Sequence, residues 1–454
     1  MSSPRSSSKP TLTGEDKEES IVIWIYRFLF PILFLVSLPY YFGRMLKRGG
    51  YSENFGERFG SASRVSKNSS GKTIWIQAVS VGEVLAIVPV IERLKERIPD
   101  CTIILTTTTS TGYKLAKETV KNVDHVAYFP LDFWPISHRV WQRFKPDLCL
   151  LMEGELWPEH LHQAKRRNIP VLLVNARLSD RSFRRYQKAG IFKNLVFAPL
   201  RKIAAASPED AGRLREIAGS AVEVKVTGNL KFDVDFPPKP DGRERQEKLI
   251  ALGLSTNPND QPMILLGSST WSGEEKMLCR VFKMIRAQGE NVRLVIVPRH
   301  AERRREILQT LKSEDLAVSV RSTDGPCARD AEVYLADTTG ELRMFTSLAD
   351  LAFIGKSLYP NEGGQTPIEA AAYGVPMVYG PNMSNFKAAC RGLEETEAAL
   401  KAESETAAER ILVALAQDPL RRKQLGTATA KWCAGNRGSV GRTVDIIAEV
   451  LPFH

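Results

Sequence analysis

The strongest constraint on the fold is a repeated alternation of short apolar runs and amphipathic segments. Each run is apolar almost throughout and is followed by helical periodicity, which is typical of a parallel sheet covered on both faces. The first series of predicted strands comprises Ile74–Val79, Thr102–Thr106, Leu148–Met152, Val171–Asn175 and Lys202–Ala206. The second series comprises Met263–Leu266, Arg293–Val297, Val333–Leu335, Asp350–Ile354 and Pro376–Tyr379. The pattern predicts an α/β protein with two Rossmann-like domains facing a cleft.

The length of the chain agrees with two domains, because 454 residues exceed what one hydrophobic core usually supports. Between the two series, residues 236–262 are polar and proline-rich around a short helix, which predicts a linker. We therefore expect one domain over residues 44–235 and another over 263–454. Residues 1–20 are serine-rich and end in an acidic run, which predicts a disordered tail.

An apolar segment lies between that tail and the first domain. Residues 21–43 are almost wholly apolar and about as long as a bilayer requires, so we expect a membrane anchor. A buried core helix is the alternative, and Arg27 and Pro31 interrupt a simple spanning helix. The anchor is followed at once by three basic residues, Arg44, Lys47 and Arg48. Under the positive-inside rule they place the remaining chain on the cytoplasmic face of an inner membrane, and they leave open whether the anchor spans the bilayer.

The charge balance indicates an anionic partner. Lysine and arginine number 63 against 52 acidic residues, a net charge of +11 that suits nucleic acid, anionic lipid or a nucleotide-linked substrate. The six cysteines lie far apart and form neither a CxxC pair nor a zinc-ligand spacing, so neither zinc nor disulfides are expected. This cysteine usage fits a reducing compartment.

Acidic side chains follow two of the predicted strands in the first domain. Glu83, in the run AVSVGE, opens a helix, where its carboxylate either caps the helix or acts as a general base. Glu153 and Glu155, in the run LLMEGELWPE, follow a buried strand with one glycine between them. Acids at a strand end more often bind or orient a ligand than stabilise the fold. A functional site is therefore predicted at the carboxyl edge of this sheet.

Three loops of the second domain are predicted to bind a nucleotide. Pro298 and Arg299 end a strand in the run VPRH, where the arginine either binds a nucleotide phosphate or base or is a solvated surface residue. The run PNEGGQTPIEAAAYG combines a glycine pair with a helix start at Thr366 and Pro367. Its Glu369 either closes a capping box or binds ribose hydroxyls. The run ADTTGELRMF predicts a turn that leads into a further helix.

Seven runs together resemble the Kdo transferase family of lipopolysaccharide synthesis, whose members transfer an acidic eight-carbon sugar. They are AVSVGE, EGELWP, NARLSDRS, TGNLKFD, VPRH, DTTGEL and GGQTPIEAAAYG, in the family's order and spacing, within a resemblance that extends from about residue 22 to the carboxyl end. The resemblance implies a GT-B glycosyltransferase fold, a CMP-Kdo donor and a lipid A precursor, lipid IVA, as acceptor. It also implies inversion at the anomeric carbon without a metal ion or other cofactor.

The resemblance further implies roles for individual residues. The first domain would bind the acceptor, with Glu83 as general base and with Glu153 and Lys231 as further catalytic residues. The second domain would bind CMP through residues of the three loops: Pro298, Arg299, Thr339, Gly340, Glu341, Thr366, Pro367, Ile368 and Glu369. The sequence departs from the family's pattern at Gln77, where many members have histidine, and at Gln365 and Thr366, where many have a His-Asn pair.

A cluster of basic residues in the first domain is either a solvated helix face or a docking surface for lipid phosphates. It comprises Lys165, Arg166, Arg167, Arg177, Arg181, Arg184, Arg185 and Lys188. The inner membrane's anionic lipids are accordingly expected partners.

Two other functions fit parts of the sequence. A UDP-sugar transferase of the same fold would share the glycine-rich loop and its glutamate. A membrane-anchored nucleotide- or nucleic-acid-binding protein would fit the positive charge. Acids at the strand ends and the lack of interleaved basic and aromatic motifs argue against a nucleic-acid partner.

Overall fold

A computed structural model describes the backbone of residues 14–48, 54–65 and 71–451, and the side chains of 21–39, 54–65 and 71–451. Within these ranges the contacts divide the chain into two compact units. The first unit contains the described residues up to Val234 together with those from Gly438 onward. The second unit comprises Asp235–Arg437.

The first unit is built on a sheet of parallel strands in the order β3-β2-β1-β4-β5-β6-β7. These strands are β1 (Thr73–Gln77), β2 (Thr102–Thr107), β3 (His125–Tyr128), β4 (Leu148–Met152), β5 (Val171–Ala176), β6 (Lys202–Ala205) and β7 (Glu223–Val226). The central strands β1, β2, β4 and β5 are buried along their whole length, because apolar clusters cover both faces of the sheet.

The second unit repeats the plan with the strand order β10-β11-β9-β8-β12-β13-β14, again parallel throughout. Its strands are β8 (Met263–Thr270), β9 (Val292–Pro298), β10 (Val318–Val320), β11 (Val333–Leu335), β12 (Leu351–Ile354), β13 (Met377–Tyr379) and β14 (Leu400–Lys401).

Helices follow most of the strands, as the alternating sequence pattern requires. In chain order they are α1 (Gly14–Arg48), α2 (Val81–Arg97), α3 (Ser110–Thr119), α4 (Trp134–Phe144), α5 (Pro158–Arg166), α6 (Asp180–Lys188), α7 (Asn194–Phe197), α8 (Pro208–Ala218), α9 (Gly242–Ala251), α10 (Glu274–Ala287), α11 (Arg304–Ser313), α12 (Arg321–Asp324), α13 (Leu342–Leu348), α14 (Ile368–Ala372), α15 (Lys387–Glu395), α16 (Glu405–Gln417), α17 (Pro419–Gly435) and α18 (Ser439–Val450). Short 3-10 turns lie at Phe55–Phe59, Gly190–Lys193, Leu230–Phe232, Ala301–Arg303 and Ser384–Phe386.

All ten predicted strands are present, two of them with the predicted ends and the others with ends shifted by a few residues. The sequence prediction missed β3, β7, β10 and β14, which are the four edge strands of the two sheets. These strands are short and partly exposed, so they lack the continuous apolar run that reveals a central strand. The α/β class with two parallel sheets is confirmed.

The predicted extent of the second domain, residues 263–454, is wrong at its carboxyl end. Helix α18 belongs to the first unit, where it packs against α2 and β6. The carboxylate of Asp233 accepts hydrogen bonds from the backbone N–H groups of Gly438 at 2.7 Å and Val440 at 2.6 Å. Apolar contacts of the buried Val444 and Ile447 add to this attachment. The chain therefore completes the first unit with its last helix.

The predicted linker, residues 236–262, is instead a folded part of the second unit. Helix α9 within it buries Leu249 completely. Arg245 donates hydrogen bonds to the backbone carbonyl of Leu348 at 3.0 Å and to the carboxylate of Asp350 at 2.6 Å. The polar composition that suggested a linker belongs to the outer face of this helix and to the turns beside it.

Helix α1 begins at Gly14, so residues 14–20 are helical although the sequence predicted a disordered tail as far as residue 20. The acidic run GEDKEES suits a helix amino terminus, because carboxylates there interact favourably with the helix dipole. Residues 1–13 of the predicted tail and the side chains of Arg44, Lys47 and Arg48 lie outside the described part of the chain. The segment Ile21–Pro39 is long and apolar enough to cross a membrane by length and composition, with a mean hydropathy of 2.3.

Candidate active site

The first sheet changes direction between β1 and β4, which are neighbours in the sheet but not in the chain. The chain passes from β1 to β2 and β3 and then returns to place β4 on the other side of β1. In open α/β sheets, ligands bind beyond the carboxyl ends of the strands at such a point. Glu83 follows β1 and Glu153 follows β4, so the topology places both predicted acids at this position.

Glu83 lies in the first turn of α2, and its side chain is buried. The backbone N–H of Val79 donates to its Oε2 at 2.8 Å, and the hydroxyl of Ser80 donates to its Oε1 at 3.0 Å. The Ser80 oxygen in turn accepts the N–H of Glu83, which makes Ser80 the N-cap of the helix. The capping geometry that the sequence offered as one alternative is therefore present, and it holds the carboxylate in one position.

The same carboxylate has an unusual affinity for protons. Burial, assisted by the negative charge of nearby Glu153, raises the pKa of Glu83 to about 7, against the lowering effect of the hydrogen bonds from Val79 and Ser80. A carboxylate with such a pKa is partly ionised at neutral pH and can accept a proton in that range. Capping and proton transfer are thus compatible functions of one side chain.

Glu153 and Lys231 form an ion pair next to Glu83. The ammonium group of Lys231 donates to Oε1 of Glu153 at 2.8 Å, and the amide of Asn175 approaches the same oxygen at 3.5 Å. Burial opposes ionisation of Glu153, but Lys231 and Arg177 outweigh it and hold the pKa of Glu153 below its usual range. Glu153 is therefore the ionised partner of the two glutamates at neutral pH.

The backbone at this position is strained. Glu153 and Asn175 both adopt left-handed conformations, with φ of 56° and 51°. Positive φ is uncommon for residues other than glycine and tends to occur at functional sites, where surrounding contacts hold it in place. Here the backbone N–H of Leu230 donates to Oδ1 of Asn175 at 3.0 Å, and the Arg177 N–H donates to the Glu153 carbonyl at 3.1 Å.

Glu155 belongs to the same group of charges, because its charge also acts to raise the pKa of Glu83. Burial raises the pKa of Glu155, the indole N–H of Trp157 at 3.0 Å lowers it, and the charge of Glu153 raises it further. The first unit therefore brings together three of the acids that the sequence predicted at strand ends.

In the second unit, Glu369 lies near two arginines. Its Oε1 is 3.7 Å from Nε of Arg343, and both Arg343 and Arg299 act to lower its pKa. Burial outweighs them, so the net pKa of Glu369 is raised. Its other oxygen, Oε2, is buried and has no hydrogen-bond partner among the described residues. A buried acceptor without a donor can bind the hydroxyl groups of a ligand.

The glycine-rich loop before Glu369 requires its glycines. Gly363 and Gly364 have φ of 102° and 72°, and a Cβ atom on Gly363 would lie 2.6 Å from the Asn385 amide nitrogen. Helix α14 begins at Ile368, so Thr366 lies two residues before it, and its hydroxyl accepts the N–H of Ile368 at 3.3 Å. The predicted helix start at Thr366 and Pro367 is therefore displaced by one or two residues.

The predicted turn before α13 is also present, and its acidic residue, Glu341, forms an ion pair with Arg321. Thr339 and Gly340 are exposed, whereas the carboxylate of Glu341 accepts two hydrogen bonds from Arg321, at 2.9 and 3.2 Å, and one from the Thr338 hydroxyl. Glu341 is thus paired with α12 and not with the arginines near Glu369. Its predicted contact with CMP would require that this pair accept a ligand as well.

Pro298 is the last residue of β9 and Arg299 follows it, so both lie at the strand end where the sequence placed them. Pro298 is buried, and the exposed Arg299 donates its backbone N–H to the carbonyl of Thr270 at 3.2 Å. The side chain of Arg299 lies close enough to Glu369 to act on its pKa. The structure therefore brings together two of the predicted nucleotide-binding loops.

Asn175 and Arg343 lie at the site although no motif in the sequence predicted a role for them, and Arg177 was predicted only as a member of the basic cluster. Asn175 and Arg177 lie in the quoted run NARLSDRS, and Arg343 follows Glu341 by two residues, so nearness to a quoted motif was the available signal.

Gln77 is buried in the first unit, where its amide is bound to Thr106 at 2.7 Å and Thr108 at 3.1 Å. Among the described residues, no group of three or more His, Cys, Asp or Glu side chains could hold a metal ion.

Comparison with solved structures defines the class of the fold. The UDP-GlcNAc 2-epimerase of Neisseria meningitidis, solved with UDP-GlcNAc, is 16% identical with a TM-score of 0.56, over 84% of this chain and 99% of that one. A glycosyltransferase from Rickettsia africae is 13% identical with a TM-score of 0.56, and the match covers 84% of this chain and 99% of that one. The two parallel sheets and these neighbours show the GT-B glycosyltransferase fold.

Sequence comparison is more specific. A family profile described as 3-deoxy-D-manno-octulosonic-acid transferase (kdotransferase) matches residues 53–234. The 3-deoxy-D-manno-octulosonic acid transferase of Haemophilus influenzae is 32% identical over 94% of this chain and 99% of its own length. The enzyme of the same name from Bordetella pertussis is 33% identical over 90% of this chain and 94% of its own length. The chain belongs to the Kdo transferase family, which makes it a Kdo glycosyltransferase.

Proposed function

We propose that the protein transfers Kdo from CMP-Kdo to a lipid A precursor, lipid IVA, in lipopolysaccharide core synthesis, with inversion at the anomeric carbon. Family membership supports transfer of Kdo. The observation that carries the catalytic assignment is the buried carboxylate of Glu83, whose pKa is raised to about 7. A general base works best when its pKa lies near the operating pH.

The reaction is a direct displacement. Glu83 takes the proton from a sugar hydroxyl of the acceptor as that oxygen bonds to the anomeric carbon of Kdo. The bond from this carbon to the phosphate oxygen breaks, and CMP leaves from the opposite face. The hydrogen bonds from Val79 and Ser80 hold the carboxylate ready for this step, and the ionised Glu153 beside it favours proton uptake.

The remaining predicted residues take supporting roles in this proposal. Glu153, held by Lys231, contacts the acceptor or stabilises charge in the transition state. Arg299 stabilises the phosphate of the leaving CMP, and the unpaired oxygen of Glu369 accepts hydrogen bonds from the ribose. The backbone of the other loop residues completes the CMP site: Pro298, Thr339, Gly340, Glu341, Thr366, Pro367 and Ile368.

The reaction takes place at a membrane in this proposal, because the acceptor is a lipid, and the basic residues Arg44, Lys47 and Arg48 after the apolar segment favour the cytoplasmic face of a bacterial inner membrane. The apolar part of α1 supports membrane association. Helix α6 supports contact with anionic lipid, because Arg181, Arg184, Arg185 and Lys188 are all exposed on it. Of the other members of the predicted basic cluster, Arg167 is bound to Gln163 and Arg177 acts on Glu153.

The test is transfer by the purified full-length protein in lipid or detergent. CMP-Kdo and a tetraacylated lipid A precursor are supplied, products are weighed by mass spectrometry, and released CMP is measured in parallel. We expect the acceptor mass to rise by whole Kdo units with equal release of CMP, and we expect CMP to inhibit more strongly than UDP. Transfer from a UDP-sugar with no reaction from CMP-Kdo would instead support the rival donor.

A further inference from the structure

The first turns of α1 are built into the folded body of the first unit. Val22 and Ile23 are buried in its core, and the hydroxyl of Tyr26 donates to the carboxylate of Asp132 at 2.5 Å. The guanidinium of Arg27 donates two hydrogen bonds to the carboxylate of Glu159, at 2.7 and 2.9 Å. Only 8% of the Arg27 side chain and none of the Glu159 side chain is exposed. One face of this part of α1 is therefore packed against the first unit, whereas Trp24 and Ile25 of the same turns stay exposed.

The chain that follows α1 returns to the same unit. The amide of Asn54 donates to the hydroxyl of Tyr113 at 2.6 Å, and the carboxylate of Glu57 accepts the backbone N–H of Tyr128 at 2.9 Å. Arg58 follows Glu57 in the chain, and its backbone carbonyl accepts the N–H of Leu131 at 2.9 Å. Contacts to one folded unit thus hold the chain at the start of the apolar segment and again after it.

These two attachments are incompatible with a helix that crosses a bilayer. The 21 residues from Arg27 to Arg48 extend roughly 31 Å as a helix, about the thickness of a hydrocarbon core. The chain from Arg48 to Asn54 reaches at most about 22 Å even when fully extended, which is less than the thickness of that core. If α1 spanned the membrane, one of the two attachments would have to lie on the side of the bilayer opposite the first unit, to which both are bound.

We infer that α1 does not span the membrane but enters one leaflet, with both of its ends on the side that carries the catalytic body. This inference concerns the membrane contact of the chain and does not depend on the proposed reaction.

The exposure of α1 agrees with insertion along one face. The less exposed side chains Ile23, Arg27, Phe30 and Phe34 recur at three- and four-residue spacings, which puts them on one side of the helix. Residues on the other side are among the most exposed apolar side chains of the described chain, and they comprise Phe28 at 72%, Leu33 at 65%, Leu35 at 63% and Val36 at 76%. An apolar face of this extent requires a covering partner.

The charge around this face identifies the partner as an anionic lipid leaflet. Helix α7 packs against α1, and the turn before it exposes Ile191 and Phe192. That turn follows α6, whose exposed basic side chains Arg181, Arg184, Arg185 and Lys188 form no ion pair with an acid in the described part of the chain. Apolar side chains next to unpaired basic ones suit a bilayer with anionic head groups.

Labelling from the two sides of the membrane tests the inference. Glu15→Cys, at the start of α1, and Glu118→Cys, exposed on α3, are each made in the full-length protein in a bacterial host. Spheroplasts and lysed membranes are then treated with an impermeant maleimide. The unmodified protein gives the background, because its six cysteines are all buried.

We expect both cysteines to react on the same side of the membrane. Labelling of Glu15→Cys from one side and of Glu118→Cys from the other would overturn the inference. Recovery of the protein in the soluble fraction without detergent would overturn it as well. The side on which both cysteines react does not bear on this inference. If both reacted in intact spheroplasts, only the cytoplasmic location in the proposed function would be contradicted.

A second measurement uses nitroxide labels at the most exposed positions, Phe28→Cys and Val36→Cys. These positions are about 12 Å apart along the helix axis, so a spanning helix places them at depths that differ by about that amount. We expect both labels to lie within the leaflet on the side of the catalytic body, by accessibility to oxygen and to a polar relaxation agent. A depth difference close to the full axial distance, with Val36 beyond the bilayer centre, would contradict the inference.

Discussion

The ammonium group of Lys231 lies 2.8 Å from Oε1 of Glu153, and the charge of this glutamate acts on the pKa of a third residue, Glu83. Lys231 and Arg177 keep Glu153 ionised although it is buried. The resulting negative charge then adds to burial in raising the pKa of Glu83 to about 7. Residues from three separate parts of the sequence thus set the proton affinity of the proposed base.

Glu153→Gln should move the acid limb of the pH-rate profile to lower pH. Activity requires Glu83 without its proton, so the rate of the unmodified enzyme should rise as pH passes through the Glu83 pKa, about 7. A neutral glutamine removes one cause of the raised pKa and leaves the larger cause, burial, so the pKa falls. The measurement is kcat/KM between about pH 5 and 9.

The control for this shift is Glu118→Gln, which removes an equal charge from an exposed position on α3. Its acid limb should coincide with that of the unmodified enzyme. An unchanged limb in Glu153→Gln, or one at higher pH, would contradict the electrostatic coupling of the two glutamates.

Glu83→Gln should lower kcat by at least about 100-fold, the lower range of general-base contributions, and leave the Kd for CMP unchanged. Glutamine keeps an oxygen that can accept the N–H of Val79, so the cap of α2 should persist and Tm should change little. Single-turnover kinetics and calorimetric titration with CMP provide the measurements. Normal turnover would remove Glu83 from the role of base, whereas loss of CMP binding would show a wider structural effect.

Glu369→Gln should weaken CMP binding and also reduce the preference for a ribose with free hydroxyls. Hydrogen bonds to a charged group contribute about 1.5–3 kcal/mol, or roughly 10- to 100-fold in Kd. The unmodified protein should therefore bind CMP more tightly than 2′,3′-dideoxy-CMP, and the variant should bind both nearly equally. Glu362→Gln is a matched control, since Glu362 is exposed in the same loop. Equal discrimination by both variants would exclude ribose binding by Glu369.

Arg27→Ala should reduce the free energy of unfolding by about 3–5 kcal/mol, because it leaves the fully buried carboxylate of Glu159 without its cation. Arg93→Ala breaks an ion pair with Glu96 whose side chains are 54% and 61% exposed, and it should change stability by less than about 1 kcal/mol. Denaturant unfolding in detergent measures both. Equal stability of the two variants would show that the Arg27 ion pair does not anchor α1.

Periodicity in the sequence was sufficient to predict the ten more central strands, because a strand buried on both faces must be apolar along its whole length. The edge strands could not be found in this way. Glu223–Val226 and Leu400–Lys401, for example, are partly exposed, and only pairing with a neighbouring strand makes them part of a sheet.

The sequence by itself determined the class of the fold, the strand ends that carry Glu83 and Glu153, and the apolar character of α1. Local patterns suffice for these features, since helix and strand periodicity and helix caps depend on near neighbours in the chain. Only the tertiary structure decided that α18 completes the first unit, that Lys231 pairs with Glu153, and that Arg27 lies in a protein interior. Each of these depends on contacts between residues 78 or more positions apart, where burial and charge pairing are fixed by the packed chain.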